Sequence, residues 1–129
     1  MKLWPVLFLT VLCLSATAKE RPSYGYISSN VDCRETGKPH RIKFVSQTFS
    51  YCYGVVPSGR IVADNKIFFN QAAKNRCGEN YSVSFEALRG PYATGEKAEE
   101  DRQRDLTEAG YGDHVEWHAS VDYESSKCQ

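Results

Sequence analysis

The sequence is short of the residues that most active sites are made from. In 129 residues it has three histidines and one methionine, and its 16 basic residues are matched by 16 acidic ones. Balanced, well-mixed charge gives no electrostatic footprint for nucleic acid or for an anionic membrane surface. No Gly-x-Ser-x-Gly elbow, Gly-rich phosphate loop or His-Glu-x-x-His occurs, which removes the hydrolase, nucleotide-binding and metalloprotease classes that depend on them. No Cys-x-x-Cys pair occurs either, so zinc fingers and ribbons are excluded. Internal repeats and low-complexity runs are absent as well.

What is present begins with MKLWPVLFLTVLCLSATA, residues 1–18. One lysine precedes an apolar run, and Ala16-Thr17-Ala18 supplies the small-x-small pattern read by a signal peptidase. The run is shorter than the ~20 apolar residues that a membrane span needs. The expectation is a signal peptide at 1–18 and a single secreted domain at 19–129, extracellular or carried onward into a host cell.

Removing the first 18 residues takes away Cys13 and leaves Cys33, Cys52, Cys77 and Cys128. An even count in a small secreted domain reads as two disulfides. Three connectivities are possible; Cys33–Cys128 with Cys52–Cys77 inside it is the expected one. Each bridge would stabilise the fold by roughly 3–4 kcal/mol. Asn80-Tyr81-Ser82 is an N-glycosylation sequon, which places Asn80 at the surface.

Along the mature chain, YGYISSNV and RIKFVSQTF read as strands separated by a Gly/Pro-broken loop. In YCYGVVPSGRIVADNKIFFN, Pro57 and Gly59 mark a type I turn and Asp64-Asn65 a hairpin turn. That reading gives a three-strand meander at about 51–56, 60–63 and 66–69. QAAKNRCGEN reads as a short helical turn ending near Gly78. YSVSFEAL alternates Tyr81, Val83 and Phe85 against polar neighbours, as a half-buried strand does, and RGPYATG breaks it. EKAEEDRQRDLTEAG is the one good helix, with Thr94 as N-cap and Gly110 as stop. Its apolar side, Ala98, Leu106 and Ala109, is thin enough for a surface helix over an edge of the sheet. The expected class is α+β: a small antiparallel sheet with one packed helix and two disulfides.

DHVEWHASVDY, residues 113–123, splits with a period of two. Val115, Trp117, Ala119, Val121 and Tyr123 form an apolar face; His114, Glu116, His118, Ser120 and Asp122 form a polar one. The polar face reads in three ways. It is the solvent side of a strand, an acid–base or anion site, or a metal site in which His114 and His118 gain a third ligand from His40 or Asp122. Metal-free RNA cleavage needs a base, an acid and a cation; His40, Glu116 and His118 could act as the first two, with His114 beside them and Arg41, Arg60 or Lys66 as the third. Eight tyrosines suit a binding surface, because a tyrosine adds contact area at low entropy cost. Tyr24, Tyr26 and Tyr92 are the expected anchors.

KPHRIKF and DNKIFFN each resemble a stretch of the secreted fungal guanyl-specific ribonucleases, and a small two-disulfide secreted domain resembles the effectors of plant-pathogenic fungi. The ribonuclease resemblance implies a catalytic-histidine position for His40 and a phosphate-binding position for Lys66. The family's Glu-Trp-Pro glutamate has no counterpart in YCYGVV, and its late histidine strand none in YSVSFEA. The family also places its helix before these strands. The resemblance therefore implies a non-catalytic relative. The leading expectation is a monomeric, secreted interaction protein acting on a host or extracellular protein, without cofactor; an RNA-cleaving enzyme and a metal-binding protein are the alternatives.

Overall fold

A computed structural model describes residues 22–34, 40–108 and 113–119. Val121, Asp122, Tyr123, Cys128, Ala109, Gly110 and the segment 1–18 lie outside the described residues. The elements are β1 (Ser23–Cys33), β2 (His40–Ser46), β3 (Phe49–Tyr51), α1 (Ser58–Asp64), α2 (Lys66–Cys77), β4 (Tyr81–Tyr92), α3 (Gly95–Leu106) and β5 (Asp113–Trp117).

β1 is the centre of the sheet. β4 runs antiparallel to it on one side, β2 and β3 antiparallel on the other, and β5 lies outside β2. Both faces of β1 are covered, so Tyr26, Ile27, Ser28 and Ser29 are buried in succession. That run is the mark of a strand enclosed by two layers. One face of the sheet carries Ile27, Val31, Ile42, Phe44 and Trp117 into a core shared with Ile61, Phe69 and Ala73 of α1 and α2. Phe69 sits at its middle, edge-on to Phe44 and to Trp117 with ring centroids 5.7 Å apart in each case. The opposite face is covered by α3. The class is α+β, as expected, but β5 runs parallel to β2, pairing Ile42 with Asp113 and Ser46 with Trp117. The sheet is therefore mixed rather than antiparallel, and among the described residues three helices rather than one pack on it.

The meander expected at 51–69 is helical from Ser58 onward. Ile61, Asn65, Phe69, Ala73 and Cys77 recur at intervals of four, and all are buried. This helical stripe overrides the local turn signals. Pro57, extended at ψ 140°, stands at the N-cap of α1, so it precedes the helix and breaks nothing. Asn65 is the joint between α1 and α2 instead of a hairpin turn. Its side-chain amide donates back to the Ile61 carbonyl at 3.0 Å, the i−4 bond that bends a helix. α2 ends at Gly78, where φ is 73°, in the region glycine adopts without cost.

β4 also departs from simple alternation. Asn30 pairs with Phe85 but Val31 pairs with Val83, so Ser84 is an extra residue in a bulge. The bulge changes which parity faces inward. Tyr81 and Val83 pack on the core before it and Leu88 after it, while Phe85 turns outward against Arg89, 5.8 Å from ring to guanidinium. RGPYATG does not break the strand, which runs through Gly90 and Pro91 to Tyr92. Gly25 and Gly90 permit this passage. A Cβ on Gly25 would stand 2.5 Å from the Arg89 carbonyl oxygen, and one on Gly90 2.8 Å from that of Tyr24.

Cys33, the last residue of β1, is bridged to Cys77, the last of α2, with Cα atoms 5.1 Å apart. The expected partners, Cys128 for Cys33 and Cys52 for Cys77, are thereby replaced. The reason lies in α2: as a helix it carries Cys77 on the buried stripe and delivers it to the end of the central strand. Cys52 is buried and disulfide-bonded, with its partner outside the described residues. No helix among the described residues is long and apolar enough to cross a membrane.

Candidate functional site

The strand face singled out in the sequence is displayed on β5, with His114 and Glu116 exposed and His118 exposed just beyond the strand end. Parallel register sets His114 beside Lys43 and Glu116 beside Val45. Partners in register point to one side of a sheet, and successive residues alternate. His40 has the parity of Ile42 and Phe44, so it projects to the other side from the His114 face. It also lies three residues before Lys43 along β2, about 10 Å at the rise of a strand. The geometry does not bring His40 to His114, Glu116 and His118.

Glu116 has a different partner. Its carboxylate accepts from the guanidinium of Arg102 on α3. Arg102 is only 6% exposed and also donates Nε–H to the Ser46 carbonyl at 2.6 Å and Nη1–H to Glu99 at 3.0 Å. Beside it Lys43, 3% exposed, donates from Nζ to Asn30 Oδ1 at 3.0 Å and pairs with Glu108 at 2.7 Å. Two buried cations and their acidic partners thus make a polar seam that clamps α3 to β1, β2 and β5. Burying a guanidinium is tolerated only when its donors are satisfied, and three elements share that task here. The seam leaves Glu116 engaged in structure. Sequence reasoning missed Arg102 because it stands among charged residues on a helix whose inward side was read from Ala98, Leu106 and Ala109 alone.

The remaining cations proposed for phosphate are also engaged. Lys66 pairs with Glu86 at 2.9 Å, Arg60 with Asp64 at 3.7 Å and Arg41 with Asp32 at 3.6 Å. Among the described residues no group of three His, Cys, Asp or Glu side chains could hold a metal ion.

The tyrosines divide. Tyr26, expected as a surface anchor, is 2% exposed: it donates to Asp105 at 2.6 Å and stacks on Tyr92 with ring centroids 6.2 Å apart. Burial, then the Asp105 carboxylate, raises the Tyr26 phenol far above its ordinary range. Tyr92, half-buried, is raised by burial and by its bond to Asp101. Tyr24 is half-buried at the rim of the same seam, opposite Tyr92 in the β1–β4 register. The central strand draws Tyr26 inward because α3 covers the face on which it projects.

Exposed apolar surface lies elsewhere. Tyr53 is 60% exposed, with Val55 beside it in the turn after Cys52. Ile67, at 68%, and Phe68 stand on the first turn of α2. Tyr53 edges a cavity of about 260 Å³ whose walls include Tyr51, Val56, Pro57, Leu88 and Gly90. Tyr51 forms the buried floor, and burial, then the neighbouring tyrosines, pushes its phenol up to about 12. The aromatic, proline-bearing turn YCYGVVP was the available sequence signal, and reading it as strand concealed it. Comparison of the chain with protein-family models, with curated proteins and with solved structures gives no match.

Proposed function

We propose that the chain is a secreted, disulfide-stabilised interaction protein that acts on a host or other extracellular protein in the manner of a pathogen effector, without a catalytic step. The observation carrying this reading is the cavity edged by Tyr53 and set beside exposed Val55. A concave apolar site with an amphipathic rim suits a hydrophobic anchor from a partner. Two further observations support it. The chain opens with a signal-like segment, and the Cys33–Cys77 bridge fits an oxidising compartment. With Cys33 and Cys77 joined and Cys13 removed with the leader, Cys128 is the cysteine left for Cys52, so the second bridge is Cys52–Cys128.

The test is capture of binding proteins from the extracellular fluid and the cytosol of the same host tissue on the mature chain, alongside a Tyr53→Ser/Val55→Asp variant that keeps its melting temperature. A partner retained by the first chain and lost by the second is the expected result. Equal capture by both, or RNA cleavage that persists through purification and disappears in a His118→Ala variant, sinks the proposal.

A further inference from the structure

The sequon Asn80-Tyr81-Ser82 lies in the chain where two residues, Glu79 and Tyr81, line a further cavity. Asn80 and Ser82 are both exposed, Asn80 at the turn that leads from α2 into β4 and Ser82 one residue inside the strand. The turn is firmly based. Gly78 N–H caps α2 on the Lys74 carbonyl at 2.8 Å, and the Asn80 carbonyl accepts from Arg34 N–H at 2.9 Å, just past the Cys33–Cys77 bridge. A shallow groove of about 620 Å³ is lined by Asn70, Gln71, Lys74, Asn75, Glu79 and Tyr81, the last two flanking Asn80 in the chain. Its volume lies within the roughly 300–1,000 Å³ of ordinary small-molecule sites. Its chemistry is unlike that of the Tyr53 cavity. Three side-chain amides, an ion pair between Lys74 and Glu79 at 2.9 Å, and the Tyr81 ring line it. The Tyr81 hydroxyl is directed to Asn70 Oδ1, at 3.4 Å.

Amides and paired charges supply donors and acceptors for sugar hydroxyls and acetamido groups, and an aromatic ring offers an apolar surface to sugar C–H groups. We propose that Asn80 carries an N-linked glycan and that this groove seats its first N-acetylhexosamine units. The inference rests on the reading that the chain passes through a secretory pathway. There the donor is a lipid-pyrophosphate-linked oligosaccharide. The Asn80 Nδ2 attacks the anomeric carbon, forming the N–C bond; the C–O bond to pyrophosphate breaks, the leaving group takes the electron pair, and the amide nitrogen gives up one proton to the transferase. Nothing is oxidised or reduced. An attachment point fixed by the cap, the bridge and the Arg34 bond holds the first sugars over the groove at little further entropic cost.

The test is secretion of the full chain from a eukaryotic host, with mass measured before and after endoglycosidase treatment, and with Asn80→Gln and Ser82→Ala variants, which change exposed side chains only. The expected result is an endoglycosidase-sensitive mass on the secreted chain that both variants lose. Nuclear Overhauser contacts from the first N-acetylhexosamine to the Tyr81 ring and the Asn70 or Asn75 amide are expected with it. A secreted chain whose mass does not respond overturns the glycan and leaves secretion standing; a chain retained in the cell without glycan overturns both. A glycan that makes no contact with the groove overturns the seat.

Discussion

Removing the Glu116 carboxylate should unsettle α3, although Glu116 itself is well exposed. The asymmetry comes from Arg102. The Glu116 side chain is 56% exposed and that of Arg102 only 7%, so the Glu116→Ala substitution frees a solvated carboxylate's place and leaves a desolvated cation. Glu99 and the Ser46 carbonyl remain to it. An exposed ion pair is worth about 0–1 kcal/mol, and breaking a fully buried one costs about 3–5 kcal/mol. A pair with one buried member and two surviving bonds falls between, at about 2 kcal/mol. For a domain of this size that lowers the melting temperature by roughly 8 °C. Glu116→Gln keeps an acceptor oxygen and loses only the charge, so its loss should be about half as large. His114→Ala and His118→Ala, on exposed sites, should stay within about 0.5 kcal/mol of the parent. Thermal and urea unfolding of the four variants gives the ranking directly. A Glu116→Ala protein no less stable than His118→Ala would refute the clamp, and with it the assignment of Glu116 to structure.

Replacing Cys33 and Cys77 together by alanine releases a loop of 44 residues and should cost about 4 kcal/mol, readable by urea unfolding; peptide mapping of the non-reduced protein should recover the Cys33–Cys77 pair. Gln47 closes the far end of β5 by donating to the Ala119 carbonyl at 2.9 Å and accepting from its N–H at 2.8 Å. Gln47→Ala should therefore cost about 1–3 kcal/mol, with hydrogen exchange at Ala119 rising before that at Phe44. The Tyr51 phenol is raised by burial, so it favours the folded state while neutral. Its contribution is complete below the ordinary tyrosine range and fades as pH rises from about 10, the unfolded value, to about 12. A phenolate absorbance titration against unfolding should show the loss over that interval and a smaller loss in Tyr51→Phe.

Local signals served where a single element decides the outcome. Thr94 caps α3 by accepting from Lys97 N–H at 3.1 Å, and Gly78 ends α2; both were readable from residue type and place. The apolar alternation at Val115 and Trp117 likewise leads into the core. Misreadings arose where a second element decides. Tyr26 looks like a surface tyrosine until α3 is laid over its side of β1. The stripe from Ile61 to Cys77 was obscured because its second member is Asn65, a residue that signals turns, and because Pro57 and Gly59 stand just ahead. The parallel pairing of β5 joins residue 42 to residue 113, a separation no local pattern encodes. The candidate site shared this fate. The polar face of β5 could be listed by parity, but neither Arg102 behind Glu116 nor the side of the sheet taken by His40 could be found without the register.

The seam under α3 also imposes an order on assembly. Arg102 is made before Glu116, and the strand bearing Glu116 docks against β2, which is made far earlier. Long-range parallel pairing is slow to close. Until β5 arrives, the Arg102 guanidinium on α3 lacks one of its counter-charges. Completion of the seam thus waits for β5, and a chain interrupted before residue 113 is left with an unbalanced seam and an open β2 edge. An open edge of that kind is a template for pairing with another chain.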